Sequence, residues 1–367
     1  MTQTQHSLSV LKGRASADGT RTLRKQFLKQ RGEGFYRTVC NGVYVSSLGL
    51  GTYLGECDDE EDMRYTVAAA AALERGVNLL DTAINYRCQR SERAIGKAVQ
   101  KSVNSGKIKR EQIVVCSKAG YIPLDKNPPA TKEDYRRFLD EEYFARGIMD
   151  PADVVAGGHC LAGRFLEDQI ARSRRNLGLE TIDVYYLHNP EQALDTLPRE
   201  KFLTMIRDAF SVLERAVDNG SIGCYGCATW NGLRVPPEAK NHLSLEELVS
   251  LAHEAGGAGH HFAVIQLPVN LAMTEAVRAP TQCVGRERVP ALEAAHRLGI
   301  SVVASATLMQ SQLTRDLPEQ VHSAFPGFAS DARRAIAFAQ SLPISAALVG
   351  MKSLSHLDEN LASPRIG

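Results

Sequence analysis

Short apolar runs rich in β-branched residues alternate along the chain with longer stretches whose apolar residues recur at helical spacing. Eight such runs occur, at residues 47–52, 77–83, 113–118, 182–188, 222–228, 262–267, 300–305 and 344–349. The helical stretches between them are residues 60–75, 91–101, 164–177, 200–219, 244–255, 288–298 and 331–342, with a last one beginning near Ser355. This series of strand–helix units, with no long linker, predicts the α/β class and a single (β/α)8 TIM barrel. An open, doubly wound sheet is the alternative.

The N-terminal part of the chain precedes the first predicted barrel strand. Residues 35–46 contain Asn41-Gly42 between two alternating runs, which predicts a β-hairpin that covers the N-terminal end of the barrel. Residues 1–34 carry seven Lys or Arg against two Asp or Glu, and we expect a solvated, potentially mobile extension. An organellar transit peptide has a similar basic bias. The predicted organisation is an N-terminal extension at residues 1–34 and a barrel domain at residues 35–367.

Two predicted loops are unusually long. Residues 119–163 follow the third barrel strand and residues 268–287 follow the sixth. Both leave the carboxyl ends of strands, where barrel active sites are built. The first loop contains several aromatic residues and prolines, so we expect it to be ordered and to form a wall of the substrate pocket.

Composition and charge narrow the classes of partner. Of 367 residues, 44% are hydrophobic and 23% are charged, which is typical of a globular chain. A formal net charge of +1 gives no overall attraction for nucleic acid or an anionic membrane, and we expect neither as a partner. No apolar run reaches the ~20 residues that span a bilayer. Eight sparse cysteines with no apolar leader favour a reducing, cytoplasmic location.

The cysteines do not predict a metal site. Cys224 and Cys227 have the spacing of a redox or metal pair, but residues three apart on a strand face opposite sides. The loops at the active end of the predicted barrel carry the thiols of Cys57, Cys88 and Cys160 and the imidazole of His159. Without short-range ligand spacing, we expect these to be buried or to line a pocket rather than to bind a metal.

A glycine pattern after the first barrel strand resembles a dinucleotide-binding turn. Gly49, Gly51 and Gly55 have nearly the required spacing, but the third glycine is one residue late. Residues 58–62 then supply five carboxylates, which would repel a pyrophosphate at the start of the following helix. We therefore reject a Rossmann domain and interpret the acidic run as the first turn of a helix, where negative charge is stabilising.

Ionisable residues end three consecutive predicted strands. Asp81 closes the second strand and Tyr86 follows it in the loop, Lys118 ends the third strand and His188 ends the fourth. In a barrel these four side chains meet at one mouth, which is typical of a catalytic site. A nearby ammonium lowers the pKa of a tyrosine, which is otherwise ~10. The set has a proton donor but no nucleophile, so it favours proton transfer to a carbonyl oxygen while another group delivers hydride.

These residues lie in motifs that resemble the aldo-keto reductase superfamily. The motifs are Asp81-Thr-Ala-Ile-Asn-Tyr86 with Ser91-Glu92, then Ser117-Lys118, then Tyr186-Leu-His188. The resemblance runs from about Tyr36 to Asn360. It implies a barrel that binds NADP(H) without a Rossmann domain. It assigns Tyr86 as general acid/base, Lys118 and Asp81 as the pair that tunes its pKa, and His188 as the group that orients the carbonyl.

The resemblance also implies a set of cofactor contacts. Around the nicotinamide these would be Gly51, Thr52, Tyr53, Thr229, Gln266 and Ser305. Along the phosphates and adenosine they would be Leu308, Gln310, Gln312, Lys352, Ser353, His356, Glu359 and Asn360. Two strand ends depart from the family pattern, since Ala228-Thr229 replaces a Ser-Asn pair and Ser305 replaces the aromatic residue that stacks on the nicotinamide. Lys352 is the candidate for holding a 2′-phosphate.

The sequence thus predicts an NADP(H)-dependent oxidoreductase that interconverts a small-molecule carbonyl and its alcohol. A regulatory barrel that binds NADP(H) with little turnover is an alternative, and so is a dehydrogenase of a sugar or hydroxy compound in vivo. Arg87 and Arg90 directly follow Tyr86 and are expected either to meet an anionic substrate or to pair with Glu92. The substrate's identity and the oligomeric state are left open by the sequence.

Overall fold

A computed structural model of the chain describes residues 8–362. Its strands are β1 (Tyr36–Val39), β2 (Val43–Ser46), β3 (Leu48–Gly51), β4 (Leu79–Asp81), β5 (Val114–Ala119), β6 (Ile182–His188), β7 (Ile222–Ala228), β8 (Phe262–Pro268), β9 (Gln282–Val284), β10 (Glu287–Val289), β11 (Ser301–Ser305) and β12 (Ala346–Gly350). Its α-helices are α1 (Ala17–Arg31), α2 (Asp59–Glu74), α3 (Arg90–Asn104), α4 (Lys132–Leu139), α5 (Gly163–Leu177), α6 (Arg199–Asp218), α7 (Leu245–Gly256), α8 (Glu275–Arg278), α9 (Ala291–Arg297), α10 (Glu319–Ala324), α11 (Asp331–Ser341) and α12 (Leu354–Leu361).

Eight of the strands form a closed parallel barrel. Their order is β3, β4, β5, β6, β7, β8, β11 and β12, and β12 pairs with β3 to close the ring. Each apolar run identified in the sequence overlaps one of these strands, so the (β/α)8 prediction is confirmed and the open sheet is excluded. The strands are buried on both faces, which is why they appear as continuous apolar runs rather than alternating ones.

The predicted N-terminal hairpin is present and closes the bottom of the barrel. β1 and β2 pair antiparallel, with Tyr36 opposite Ser46. The turn between them uses left-handed backbone at Asn41 (φ 57°) and Gly42 (φ 71°), which suits this Asn-Gly pair. Buried valines of the hairpin pack in the same cluster as residues at the starts of β5 and β6. The hairpin therefore plugs the end of the barrel opposite the carboxyl ends of its strands.

Helix α1 was not predicted from the sequence. The Ser16 side chain caps its start by accepting a hydrogen bond from the Gly19 amide (3.0 Å). Gly19 lies so close to Glu111 that a Cβ at this position would come within 2.4 Å of the Glu111 carbonyl oxygen. Leu23 is buried. The helix packs against β2 and the turn before β5. The described part of the N-terminal segment thus contacts the bottom of the barrel, while its division from the barrel at residue 34 stays a prediction.

The two long connections contain elements of their own. The first holds α4, and its Ile122, Tyr143, Met149 and Cys160 form an apolar cluster with Phe165 of α5. The second contains α8 and runs into a short hairpin of β9 and β10 that turns at Gly285 (φ 60°). The prediction of a helix from residue 288 is wrong by three residues, because Pro290 precedes α9 and residues 287–289 pair as β10 instead. None of the helices in residues 8–362 is long and apolar enough to cross a membrane.

Candidate active site

The four ionisable residues identified at strand ends lie together at one mouth of the barrel. Asp81 and His188 are the last residues of β4 and β6, Lys118 is next to last in β5, and Tyr86 lies in the loop after β4. All four are buried, and Lys118 is completely so. Parallel pairing of β4, β5 and β6 brings the carboxyl ends of these strands side by side.

Lys118 is the centre of this cluster. Its Nζ donates to Asp81 Oδ2 at 2.6 Å and to the Thr82 carbonyl oxygen at 2.8 Å. The same Nζ lies 4.9 Å from the centroid of the Tyr86 ring. The Tyr86 ring in turn packs edge-on against the His188 ring, with centroids 5.7 Å apart. The ammonium is thus held between a carboxylate and a phenol.

The electrostatic environment sets the protonation states of these groups. Burial raises the pKa of Tyr86, although the Lys118 ammonium partly opposes this shift. Burial alone would lower the pKa of Lys118, but the Asp81 carboxylate outweighs it, and the net direction is upward. Burial, reinforced by Lys118, holds the pKa of His188 well below its usual range. At neutral pH the site therefore contains a protonated phenol, a charged lysine and a neutral imidazole.

Asp81 is fixed in place from two further strands. Gln266, on β8, donates from Nε2 to Asp81 Oδ1 at 2.8 Å. Thr52, just after β3, donates from Oγ1 to the Asp81 backbone carbonyl at 3.1 Å. With Lys118 on its other oxygen, the carboxylate is bonded on both sides, which stabilises its charge and its orientation.

His159 supports His188, and the sequence reasoning missed this role. His159 is fully buried, and its Nε2 lies 2.7 Å from the His188 backbone carbonyl oxygen. Tyr121 packs edge-on against both imidazoles, with centroids 5.3 Å from His159 and 4.9 Å from His188. The start of the 119–163 connection therefore lies directly against the site. No spacing pattern in the sequence links His159 to a residue 29 positions away.

The two arginines after Tyr86 are occupied by acidic partners from α2. Arg87 forms an ion pair with Asp62 (2.5 Å), and Arg90 contacts both Asp59 (2.9 Å) and Asp62 (2.7 Å). Neither pairs with Glu92. That buried carboxylate instead accepts from Ser117 Oγ and from Asn176 Nδ2. Of the two interpretations offered for these arginines, the pairing with Glu92 is wrong.

The residues assigned to the nicotinamide end surround the same mouth. Gly51 ends β3 and Thr52 and Tyr53 follow it. The exposed Tyr53 ring lies 5.1 Å from the Tyr86 ring, centroid to centroid. Thr229 follows β7, and its amide donates to the Gln266 carbonyl oxygen at 2.8 Å. Ser305, half-buried, ends β11.

The residues assigned to the phosphate and adenosine end lie on the rim formed by β11 and β12. Leu308 is half-buried, whereas Gln310 and Gln312 are exposed, and the backbone is left-handed from Met309 to Ser311. Ser353 caps α12 by accepting from the His356 amide. His356 and Glu359 are exposed and Asn360 is buried. These positions form a second group, on the segments that follow β11 and β12.

Lys352 is already engaged by an acidic partner. Its Nζ forms an ion pair with Glu61 Oε1, on the first turn of α2. The Glu61 side chain is 6% exposed and the Lys352 side chain is 39% exposed. The lysine thus reaches solvent at the rim while a nearly buried carboxylate holds its ammonium.

The cysteines are all unpaired by disulfides. Cys224 and Cys227 are both buried within β7, and Cys160 is buried in the apolar cluster of the 119–163 connection. Within residues 8–362, no three His, Cys, Asp or Glu side chains converge in the way that a metal site requires.

Comparison with known proteins agrees with this architecture. The sequence profile of the Aldo/keto reductase family matches residues 47–326. An NADH-specific methylglyoxal reductase of Escherichia coli (strain K12) is 26% identical over 191 residues, which are 51% of this chain and 49% of that protein. This chain spans about half the length of the curated relatives it matches. The chain therefore belongs to the aldo/keto reductase family.

Solved structures show the same fold. The aldo-keto reductase AKR11C1 from Bacillus halodurans, in its holo form, superposes with a TM-score of 0.58 at 17% identity, covering 90% of this chain and 92% of that one. An aldo/keto reductase from Klebsiella pneumoniae, in complex with NADP and acetate, gives a TM-score of 0.58 at 18% identity, covering 89% and 88%.

Proposed function

We propose that this chain is an NADP(H)-dependent oxidoreductase that interconverts an aldehyde or ketone and its alcohol, with Tyr86 as the proton donor. The observation that carries the proposal is the placement of the Lys118 ammonium between the Asp81 carboxylate and the Tyr86 ring, 2.6 Å from the carboxylate and 4.9 Å from the ring centroid. Family membership supports the general class of reaction.

Each of the four residues has a part in the proton transfer. Tyr86 keeps its proton at neutral pH because burial raises its pKa, so it has a proton to give to a carbonyl oxygen. As the phenolate forms, the Lys118 charge stabilises it, and Asp81 holds that charge in position. The neutral His188 donates a hydrogen bond to the same carbonyl oxygen and orients it. When bound, the cofactor supplies the hydride.

The strand ends offer unused polar atoms where a nicotinamide would lie. The Thr229 Oγ1 hydroxyl is buried and has no hydrogen-bond partner among residues 8–362. The Thr229 backbone amide is bonded to the Gln266 backbone carbonyl, so the two residues are neighbours at these strand ends. The Gln266 Nε2 is already donated to Asp81, which leaves its Oε1 and the Thr229 hydroxyl to meet a carboxamide. The Thr307 hydroxyl, at the start of the β11 loop, is also buried without a partner in the described chain. A buried hydroxyl without a partner is costly, and a polar ligand would satisfy it.

For the other end of the cofactor, we assign the 2′-phosphate to Lys352. The loops after the last two strands of such barrels are a frequent phosphate site, and Lys352 lies two residues after β12. Relatives include an NADH-specific reductase and a protein solved with NADP. Titration with NADPH and NADH tests whether this chain prefers NADP(H) to NAD(H).

The substitution Tyr86→Phe tests the assignment of the proton donor. It removes the phenol hydroxyl but keeps the ring, so the fold and cofactor binding should persist. General acid catalysis contributes ~10²–10⁴-fold, and reductase turnover should fall by that factor. Turnover is measured as NADPH oxidation with a panel of small aldehydes, and binding by cofactor fluorescence.

Tyr44→Phe, on β2 of the hairpin at the opposite end of the barrel, is the matched control and should behave as the wild type. Unchanged turnover in purified Tyr86→Phe protein contradicts the assignment. A wild type that binds NADPH but oxidises it with no aldehyde favours a regulatory barrel instead.

A further inference from the structure

Two thiols face each other beside Tyr86. Cys57 Sγ and Cys88 Sγ are 3.6 Å apart, although the residues are 31 positions apart in the chain. Cys57 lies in the loop between β3 and α2 and is half-buried. Cys88 lies two residues after Tyr86 and is 7% exposed. The pair therefore links two loops at the mouth of the barrel, and one of its two residues is only half-buried.

Neighbouring contacts hold the thiols in this arrangement. Arg87, adjacent to Cys88, donates from Nε to the Glu56 carbonyl (2.7 Å) and from NH2 to the Asp58 carbonyl (3.3 Å). These carbonyls belong to the residues on either side of Cys57. The Arg87 side chain thus ties the backbone on both sides of Cys57 to the residue next to Cys88.

The loop after Tyr86 has an unusual conformation. Arg87, Cys88 and Gln89 have φ values of 49°, 53° and 66°, so three consecutive residues other than glycine are left-handed. Such backbone costs free energy and persists only where surrounding contacts impose it. The Lys126 amide, which donates to the Cys88 carbonyl at 3.1 Å, supplies one of these contacts.

We propose that Cys57 and Cys88 form a modification site, a dithiol that hydroperoxides oxidise reversibly to a disulfide. The half-buried Cys57 sulfur attacks the distal oxygen of the hydroperoxide, the O–O bond breaks, and an alcohol, or water from hydrogen peroxide, leaves. The Cys88 sulfur then attacks the Cys57 sulfenic acid and expels water. Two thiols are oxidised by two electrons and the hydroperoxide is reduced. An external dithiol reverses the step by exchange.

The order of attack follows from the surroundings of the two sulfurs. Cys57 is half-buried whereas Cys88 is 7% exposed, so the hydroperoxide reaches Cys57 first, and Cys88, 3.6 Å away, is placed for the resolving step. Closing the bond requires the sulfurs to approach from 3.6 Å to ~2.05 Å, a movement within the range of a side-chain rotation and a small loop shift. The product cross-links the loop that carries Tyr86 to the loop after β3.

The test treats the purified full chain with hydrogen peroxide and counts thiols after denaturation. Wild-type protein has eight cysteines and should lose two titratable thiols, with the Cys57–Cys88 peptide found by mass spectrometry. Dithiothreitol should restore both thiols. Neither the Cys57→Ser protein nor the Cys88→Ser protein should lose thiols to a disulfide. Cys283→Ser, which removes a half-buried cysteine of β9 instead, should lose two thiols as the wild type does.

Three results would overturn the proposal: no loss of thiols, oxidation of Cys57 to sulfinic acid without a disulfide, or a disulfide between other cysteines. The Tyr86→Phe protein should form the same disulfide, so failure of the proposed function leaves this test intact.

Discussion

The ion pair between Lys352 and Glu61 leads to a quantitative prediction about cofactor choice. Glu61 is the third residue of α2, and its carboxylate is almost fully buried. Gly55 makes room for it, since a Cβ there would lie 2.1 Å from Glu61 Oε1. A 2′-phosphate that binds Lys352 must therefore compete with a carboxylate that the structure holds in place. We expect NADPH to bind more tightly than NADH, but we expect a smaller difference in affinity than a lysine without an acidic partner would give.

Glu61→Gln should release this restraint. Exposed ion pairs contribute ~0–1 kcal/mol. Drawing Lys352 away from Glu61 costs more, because the nearly buried carboxylate is left without its partner. Repulsion between the Glu61 carboxylate and the 2′-phosphate adds to the free-energy cost of binding NADPH. We therefore expect a gain of about 1–2 kcal/mol for NADPH, which corresponds to roughly 5–30-fold in affinity. NADH, which lacks the phosphate, should bind as to the wild type. Lys352→Ala should act in the opposite direction and shrink the difference between the two cofactors.

Fluorescence titration measures these affinities without turnover. Trp230 is the only tryptophan in the chain, lies two residues beyond β7 and is 46% exposed, so it reports binding at the mouth. Glu60→Gln is the control, because Glu60 is exposed and contacts Arg64 rather than Lys352. An equal gain for NADH and NADPH in Glu61→Gln would refute the competition. Equal affinities of the wild type for both cofactors, unchanged in Lys352→Ala, would instead refute Lys352 as the phosphate anchor.

Two further predictions concern the 119–163 connection. The helix α4 (Lys132–Leu139) has no buried residue, so it can be replaced by a short Gly-Ser linker. This replacement should change KM for bulky carbonyls far more than the affinity for NADPH. Loss of cofactor binding with an unchanged ranking of substrates would contradict the prediction that the connection forms a pocket wall. Burial lowers the pKa of His159 to about 4, so the unfolded chain takes up this proton first and stability falls as pH drops from ~6.5 towards 4. Between pH 7.5 and 5, the free energy of unfolding, measured with urea, should therefore fall on the order of 2 kcal/mol less in His159→Gln than in the wild type. Parallel pH profiles of the two proteins would contradict this.

The barrel and three of its central residues were predictable because strand register places them, and Tyr86 follows one of these strands within five residues. A strand buried on both faces needs a continuous apolar run, and the ends of parallel strands share one edge. Asp81, Lys118 and His188 could therefore be assigned to one site before any distance was known. Their neighbour His159 could not, because it acts on the backbone carbonyl of His188 and no periodicity records such a contact.

Helix α1 shows the opposite case. Its sequence is strongly basic and has few apolar residues, which is typical of a solvated segment. In the fold it is positioned by a close approach of Gly19 to Glu111 and by the burial of Leu23. Both contacts depend on where the turn before β5 lies in three dimensions, so the sequence pattern alone does not indicate them.

The acidic start of α2 has a larger part than the sequence suggested. Negative charge on a first helical turn is stabilising by itself, and that reasoning accounted for residues 58–62. In the structure, however, Asp62 holds Arg87 and Arg90, and Glu61 holds Lys352. One helix turn thus neutralises Arg87, Arg90 and Lys352, which were candidates from the sequence for binding anionic ligands. An anionic substrate would have to displace a carboxylate to reach either arginine, whereas an uncharged carbonyl compound would meet no such competition.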